Sequence, residues 1–311
     1  MAGQMTASQA RVVDPVLSTV ARGYRDQRFV YLDLFPEVDV GARGGKIITF
    51  GVEEFQLYNT QRAPGASTKR VQYGYAGADY SLDQHSLEGL VPDEIREEAA
   101  NSAPGIDLAT PAIHKTQRVI ARTAEKEAAQ AATDASKYAN SNKIALSGSD
   151  KWSDAGSDIA GQMDDAKDAI SDGIGLDPNV LVLSLAGYRA LKRHPKVKEQ
   201  FKYTSSASIT ADMLAEFFDI SKVVVANSRY HDGHNFVQMW GNNAILAYVE
   251  TGSLAEMGTP SYGYTYRLRG IPAVRKPYYD NNSRSWIYPV TDERKPVVAG
   301  ADAGYLFQAV A

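Results

Sequence analysis

The chain contains no cysteine. Disulfides, thiolate metal sites and cysteine nucleophiles are therefore excluded, and an origin in a reducing compartment fits. It also lacks a basic excess: 33 Lys and Arg stand against 37 Asp and Glu, a net charge of −4. A dedicated nucleic-acid binder normally carries a clear positive surplus. No apolar run approaches the ~20 residues of a membrane span, so no membrane partner is expected. The first residues, MAGQMTASQARVVDPV, lack the apolar centre of a signal peptide.

Catalytic signatures are missing too. Gly41-Ala42-Arg43-Gly44-Gly45-Lys46 resembles a phosphate loop, but its glycines are one residue too close. Ile47 also stands where Ser or Thr must hold magnesium. A glycine hinge at the base of a hairpin is the better reading. His231-Asp232-Gly233-His234 has two histidines three apart, but Gly233 between them marks a turn rather than a metal-binding helix. No nucleophile elbow occurs, and no Ser, His and Asp set falls in a recognisable triad pattern. No catalytic, cofactor or metal residue is assigned.

What is present is a globular composition, 44% hydrophobic and 23% charged, in 311 residues. That is enough for one large domain or two smaller ones. Tyrosine is abundant, 18 against 9 Phe and 3 Trp; an apolar ring with a polar tip suits wet contact surfaces.

Residues 1–40 read as an arm, with Val12, Val13, Val16, Leu17 and Val20 at helical spacing and Pro15 in a first turn. Arg22, Arg25 and Arg28 make it locally basic, on a solvated face, against a neighbour, or near DNA. Residues 44–84 read as a long hairpin with Pro64-Gly65 at its tip. A two-stranded ribbon of that length is not stable alone, so a neighbouring copy is its cheapest support. A charged linker with a short helix spans 87–103, and Gly89 to Gly105 is its expected flex point.

A long helix then runs from Pro111 to about Asn140, with Thr110 as N-cap and no further Gly or Pro. Ile113, Val119, Ile120, Ala124, Ala128, Ala131 and Ala135 supply a small-residue apolar side. A coiled coil is the alternative, although alanine is small for such a seam. Ser157 to Ser171 reads as amphipathic helix. Residues 179–270 form an α/β unit with strands at Val180–Leu183 and Lys222–Ala226 and helix caps at Ser184 and Thr210. A hairpin is expected from Phe236 to Val249 around Gly241-Asn242-Asn243, and another strand at Tyr262–Leu268. The tail returns as strands near Trp286–Val290 and Tyr305–Val310.

In this order, YSLDQHSLEGLVPDEIRE, the long helix, NVLVLSLAGYRALKRHPKVKEQF and ITADMLAEFFDISKVVVANSRY resemble a tailed-bacteriophage major capsid protein. The resemblance covers most of the chain and rests on pattern and element order rather than invariant catalytic letters. It implies an α+β, Hong Kong-type capsid fold in five parts. These are an N-terminal arm (1–43), an extended loop (44–86), spine helix and peripheral domain (87–178), axial domain (179–270) and a C-terminal return to the peripheral domain (271–311). It implies a structural protein, not an enzyme, made in the host cytoplasm and built into the virion. The shell would be icosahedral, assembled from hexamers and pentamers around double-stranded DNA, with only non-specific proximity to that DNA. Portal, a separate scaffolding protein and a cement or decoration protein are the implied partners. Arg62, Lys69 and Arg70 on the loop, with Arg22, Arg25 and Arg28 on the arm, are the expected intersubunit contacts. Lys69 belongs to no identifiable cross-linking motif. An encapsulin-like compartment shell is the alternative, separable by gene neighbourhood; an α/β enzyme on 179–270 would need a pocket of perturbed titratable groups.

Overall fold

The computed structural model describes residues 13–26, 28–46, 61, 79–102, 105, 107–201, 208–250 and 261–311. The hairpin arms and tip expected within 47–78, with Arg62, Lys69 and Arg70, lie outside them, apart from Gln61.

In chain order the described elements begin with β1 (Val13–Asp14), α1 (Pro15–Arg22), α2 (Tyr31–Leu34), β2 (Glu37–Val40), β3 (Gly44–Lys46), β4 (Asp79–Ser81) and β5 (Asp83–Pro92). Next come α3 (Asp93–Ser102), α4 (Ala109–Thr133), β6 (Lys143–Ala145), α5 (Ile159–Ile174), β7 (Val180–Ser184), α6 (Leu185–Arg193), α7 (Pro195–Gln200), α8 (Ala211–Phe217) and β8 (Lys222–Ala226). The rest are β9 (Arg229–His231), β10 (Phe236–Gln238), β11 (Ala244–Ala247), β12 (Gly263–Leu268), β13 (Ala273–Arg275), β14 (Tyr278–Asp280), β15 (Ser285–Val298) and β16 (Gly304–Gln308).

Two sheets dominate the described residues. One has the order β6-β16-β11-β7-β8. β7 and β8 pair in parallel, Val180 opposite Lys222, and α6 to α8 make the crossover between them. All five β7 side chains are buried, as expected for a strand covered on both faces. The second sheet is organised on β15, which pairs with β5, β12, β13 and β14; β1 extends it beyond β13 and β2 beyond β12. β5 and β15 run antiparallel over ten consecutive pairs, from Ser285–Pro92 to Arg294–Asp83.

α4 crosses this second sheet. Its 25 residues span ~37 Å at ~1.5 Å per residue. Ile113, Ile120, Ala124, Ala128 and Ala132 recur on its buried side; Ile113 and Ile120 pack with Ala21, Val274 and Val290, and the three alanines join the main core with Leu34 and Trp240 of the same chain. The coiled-coil alternative falls on this packing, and Val119 is 41% exposed. Thr110 is not the N-cap, which falls on Leu108; the acceptor for the first turn comes from the residue before it, Asp107 Oδ1, which accepts from the backbone N–H of Ala109 at 2.9 Å and Thr110 at 3.4 Å. The helix stops at Thr133, short of Asn140, because Asp134 turns extended and caps a following 3₁₀ turn through the N–H of Ser136 at 3.0 Å.

Four further expectations are corrected. Residues 87–92 are not a linker but the end of β5, held by the β15 ladder. Gly89 is not a hinge: a Cβ there would lie 2.9 Å from Thr116 Oγ1 and 3.0 Å from Ala112 O, so it is the point where strand and helix touch. The Phe236–Val249 hairpin does not form. β10 pairs back with β9, while β11, buried at all four positions, sits between β7 and β16; a fully covered strand needs two partners. Gly44 and Gly45 are paired strand residues opposite Ser81 and Tyr80 rather than a hinge.

The described part of the N-terminal segment is woven into the core. Asp14 Oδ1 caps α1 at the N–H of Val16 and Leu17, both 3.0 Å, and Pro15 takes the first helical position as expected. Leu34 and Phe35 are fully buried, and β2 pairs in parallel with β12. The tail divides: β15 lies in one sheet and β16 in the other. β12 likewise leaves the α/β unit for the β15 sheet.

Candidate intersubunit surfaces

Two buried polar clusters fix the body that carries the outer surfaces. In the first, Glu125 projects from α4 and is fully buried. Oε1 accepts from Trp240 Nε1 at 2.7 Å and Ser228 Oγ at 2.9 Å. Oε2 accepts from the backbone N–H of Val30 at 3.0 Å and Tyr31 at 2.9 Å. Burial pushes this carboxyl up from the ordinary range, and the four donors pull against that. One side chain thus joins the long helix to the N-terminal segment, the residues after β8 and those after β10.

The second cluster is a relay of alternating charge. Glu37 on β2 meets Arg267 on β12 at 2.6 Å; Arg267 meets Asp292 on β15 at 3.3 Å; Asp292 meets Arg294 at 2.5 Å. Arg294, fully buried, also donates to Ile120 O of α4 at 3.0 Å and lies 3.8 Å from Glu127. Glu127 in turn is 3.6 Å from His85 on β5. Arg43 grips Glu293 with two bonds of 2.6 and 3.0 Å, tying the root of β3 to β15. A buried ion survives only where partners and hydrogen bonds replace water, so this relay fixes register across the sheet. Neither cluster was found from sequence. The signal was present in Asp292-Glu293-Arg294, charges inside a strand-forming run.

The arginines expected on the arm have separate fates. Arg28 binds Asp26 with Nε at 2.9 Å and Nη2 at 2.5 Å, which holds the Asp26 carboxyl down to about 2. Arg22 donates its Nε to Ser18 O at 3.2 Å and is otherwise open. Arg25 is exposed and makes no ion pair among the described residues. Arg22 and Arg25 share a surface cleft of about 250 Å³ with Tyr24, Tyr31, Gln117 and Arg267. Burial raises the Tyr31 phenol to about 12, so it stays neutral there.

His231-Asp232-Gly233-His234 forms the β9–β10 turn. Asp232 Oδ1 accepts from the N–H of His234 at 2.8 Å and Asn235 at 2.7 Å, and Gly233 supplies the positive φ of 105°. Outside the buried body, β3 and β4 pair so that Lys46 stands opposite Asp79. Lys46 and Asp79 therefore stand side by side at the end of this pair.

Comparison with known proteins places this geometry. The family described as phage major capsid protein E matches residues 107–289, from just before α4 into the first part of β15. The major capsid protein of Burkholderia phage BcepMu is 37% identical, over 97% of this chain and 98% of its own length. A crystal structure of a phage-related protein from Bordetella bronchiseptica RB50 shares 43% identity and a TM-score of 0.84, covering 97% of this chain and 99% of that one. The capsid of Cyanophage P-SCSP1u, at 11% identity, shares the fold with a TM-score of 0.55, over 99% of this chain and 93% of that one. The encapsulin alternative is less supported than a phage capsid, because the family match and the high-identity relative are both phage major capsid proteins. Such a family is structural rather than enzymatic, its members form the virion shell, and this chain, with its Hong Kong-type capsid fold, belongs to the phage major capsid protein E family.

Proposed function

We propose that the chain assembles as hexamers and pentamers into a closed icosahedral shell around double-stranded DNA. The observation that carries this is the β3–β4 root. Lys46 and Asp79 stand opposite each other on a base fixed by Arg43–Glu293 and the β5–β15 ladder, the anchoring that a loop reaching a neighbour requires. In this reading 44–86 is the extended loop, 87–178 spine helix and peripheral domain, 179–270 the axial domain, 271–311 the return, and 1–43 the arm. Arg62, Lys69 and Arg70 meet acidic groups of the next subunit, and Arg22, Arg25 and Arg28 serve the same purpose on the arm. Such rim charges set register and encounter rate more than affinity.

The chain is made in the host cytoplasm and contacts packaged DNA only non-specifically, consistent with its net charge of −4. Portal, a separate scaffolding protein and a cement protein are its partners; no catalytic role is assigned. The test is sedimentation and electron microscopy of the wild-type chain beside a deletion of 60–68. The wild type gives large closed particles, and the deletion keeps a folded subunit but loses particles or their stability. Normal particles of normal stability from the deletion would sink the clamp.

A further inference from the structure

The cleft between α1 and α4 is lined by Arg22, Arg25 and Arg267 together with four carboxylates, Asp26, Asp33, Glu37 and Asp292. Its acidic members are already engaged. Asp26 is held by Arg28 and Arg118, Asp33 by Lys222 at 2.6 Å, and Glu37 and Asp292 by Arg267. Arg22 and Arg25 remain at the rim, both exposed, one bound only to a carbonyl and the other to nothing among the described residues. In the wall behind them is Gln117, 5% exposed, whose amide Nε2 has no hydrogen-bond partner. A buried donor without a partner costs free energy until an acceptor arrives. Two open guanidiniums and an orphan N–H form a receptor for carboxylate oxygens.

A complementary face exists on the same molecule. α3 buries none of its ten residues. It is fastened on one side only, by the Tyr279 hydroxyl on Asp93 at 2.5 Å and by Arg96 over the Trp286 ring at 5.1 Å. Glu94, Glu97 and Glu98 are exposed and unpaired among the described residues. Their i, i+3 and i+4 spacing puts them on one face, where like charges repel. A surface helix with no buried side chain and an uncompensated acidic face is poorly supported by its own chain.

We infer that the Arg22–Arg25–Gln117 cleft is a carboxylate socket for a second copy of this chain, which inserts the Glu94–Glu97–Glu98 face of α3. This rests on the self-assembly reading and names a contact within it. Charge complementarity selects the occupant: free cations on one face, free carboxylates on the other, in a protein that packs against itself.

The absence of cysteine makes the contact directly testable. Particles built from a mixture of Arg25→Cys and Glu97→Cys copies should be cross-linked between chains by a bis-maleimide with an arm as long as an Arg–Glu pair, each thiol adding across one maleimide double bond, and either variant alone should give no cross-link. In parallel, Arg22→Glu with Arg25→Glu should cut particle yield about tenfold, as should Glu94→Lys with Glu97→Lys and Glu98→Lys; the combined charge swap should return it to within about twofold. Circular dichroism melts confirm that each variant folds. Folded variants that assemble normally, or a swap without rescue in particles that never cross-link, would overturn the socket. A block by the arginine variants, with Arg25→Cys cross-linking only to some other virion protein, also overturns it, by assigning the cleft elsewhere. If the wild type gives no particles, the assembly reading itself fails, and the socket with it.

Discussion

Glu125 on the long helix accepts a 2.7 Å hydrogen bond from the indole of Trp240, 115 positions away in sequence, and both side chains are almost wholly buried. Removing the carboxylate strands four donors at once. Glu125→Ala should lower stability by about 3–5 kcal/mol, and Trp240→Phe by about 1.5–3 kcal/mol, because it deletes a single bond to a carboxylate. Urea unfolding of the unassembled chain reads both. A loss below about 1 kcal/mol for Glu125→Ala would mean that the cluster relaxes without it.

Arg294 poses the same question for the charge relay. Arg294→Ala removes the shorter of the two ion pairs of buried Asp292, leaving it Arg267 alone, and should cost about 3 kcal/mol. The double variant Arg294→Ala with Asp292→Ala removes both charges and should cost less than the two single changes added together. Simple additivity in the same unfolding assay would show that the pair is not coupled.

Acid stability should carry the mark of Asp26. Its carboxyl sits at about 2, against an ordinary 3.8, mainly through the Arg28 side chain. A depressed pKa contributes stability above pH 3.8 that is lost as pH falls toward 2. Asp26→Asn should be less stable near neutrality and should show a flatter pH dependence across that window. Parallel curves for the two proteins would dissociate Asp26 from the acid response.

Gly89 is the most demanding glycine for the relation of strand to helix. Gly89→Ala should destabilise by about 1–3 kcal/mol, since the new methyl meets a helix carbonyl that cannot move aside. Thr116→Ala should recover only part of this, as it clears one of the two close contacts. A fully stable Gly89→Ala would show that β5 can lift from α4 freely.

Local chemistry was readable from sequence where it is decided locally. Pro15 starts α1, Ser184 and Thr210 cap their helices, and Gly175 closes α5 in a left-handed turn. What escaped depends on pairing across long separations. The apolar run at Ala244–Ala247 looks like half of a hairpin, but only the tertiary fold reveals two covering strands. Glu125 looks like any surface glutamate in an alanine-rich helix, because its partners come from three distant segments. The cleft eluded the sequence for the same reason: Arg22 and Gln117 share a wall only once α1 lies on α4.

The β5–β15 ladder carries a consequence for timing. Ser86 and Val290 are 204 positions apart. During translation at ~5–20 residues per second, β5 emerges ~10–40 s before its partner. Until then β5 has no partner strand, and Arg43 beside β3 lacks the Glu293 carboxylate that it grips. The sheet that joins the two ends of the sequence therefore closes last, when almost the whole chain has left the ribosome.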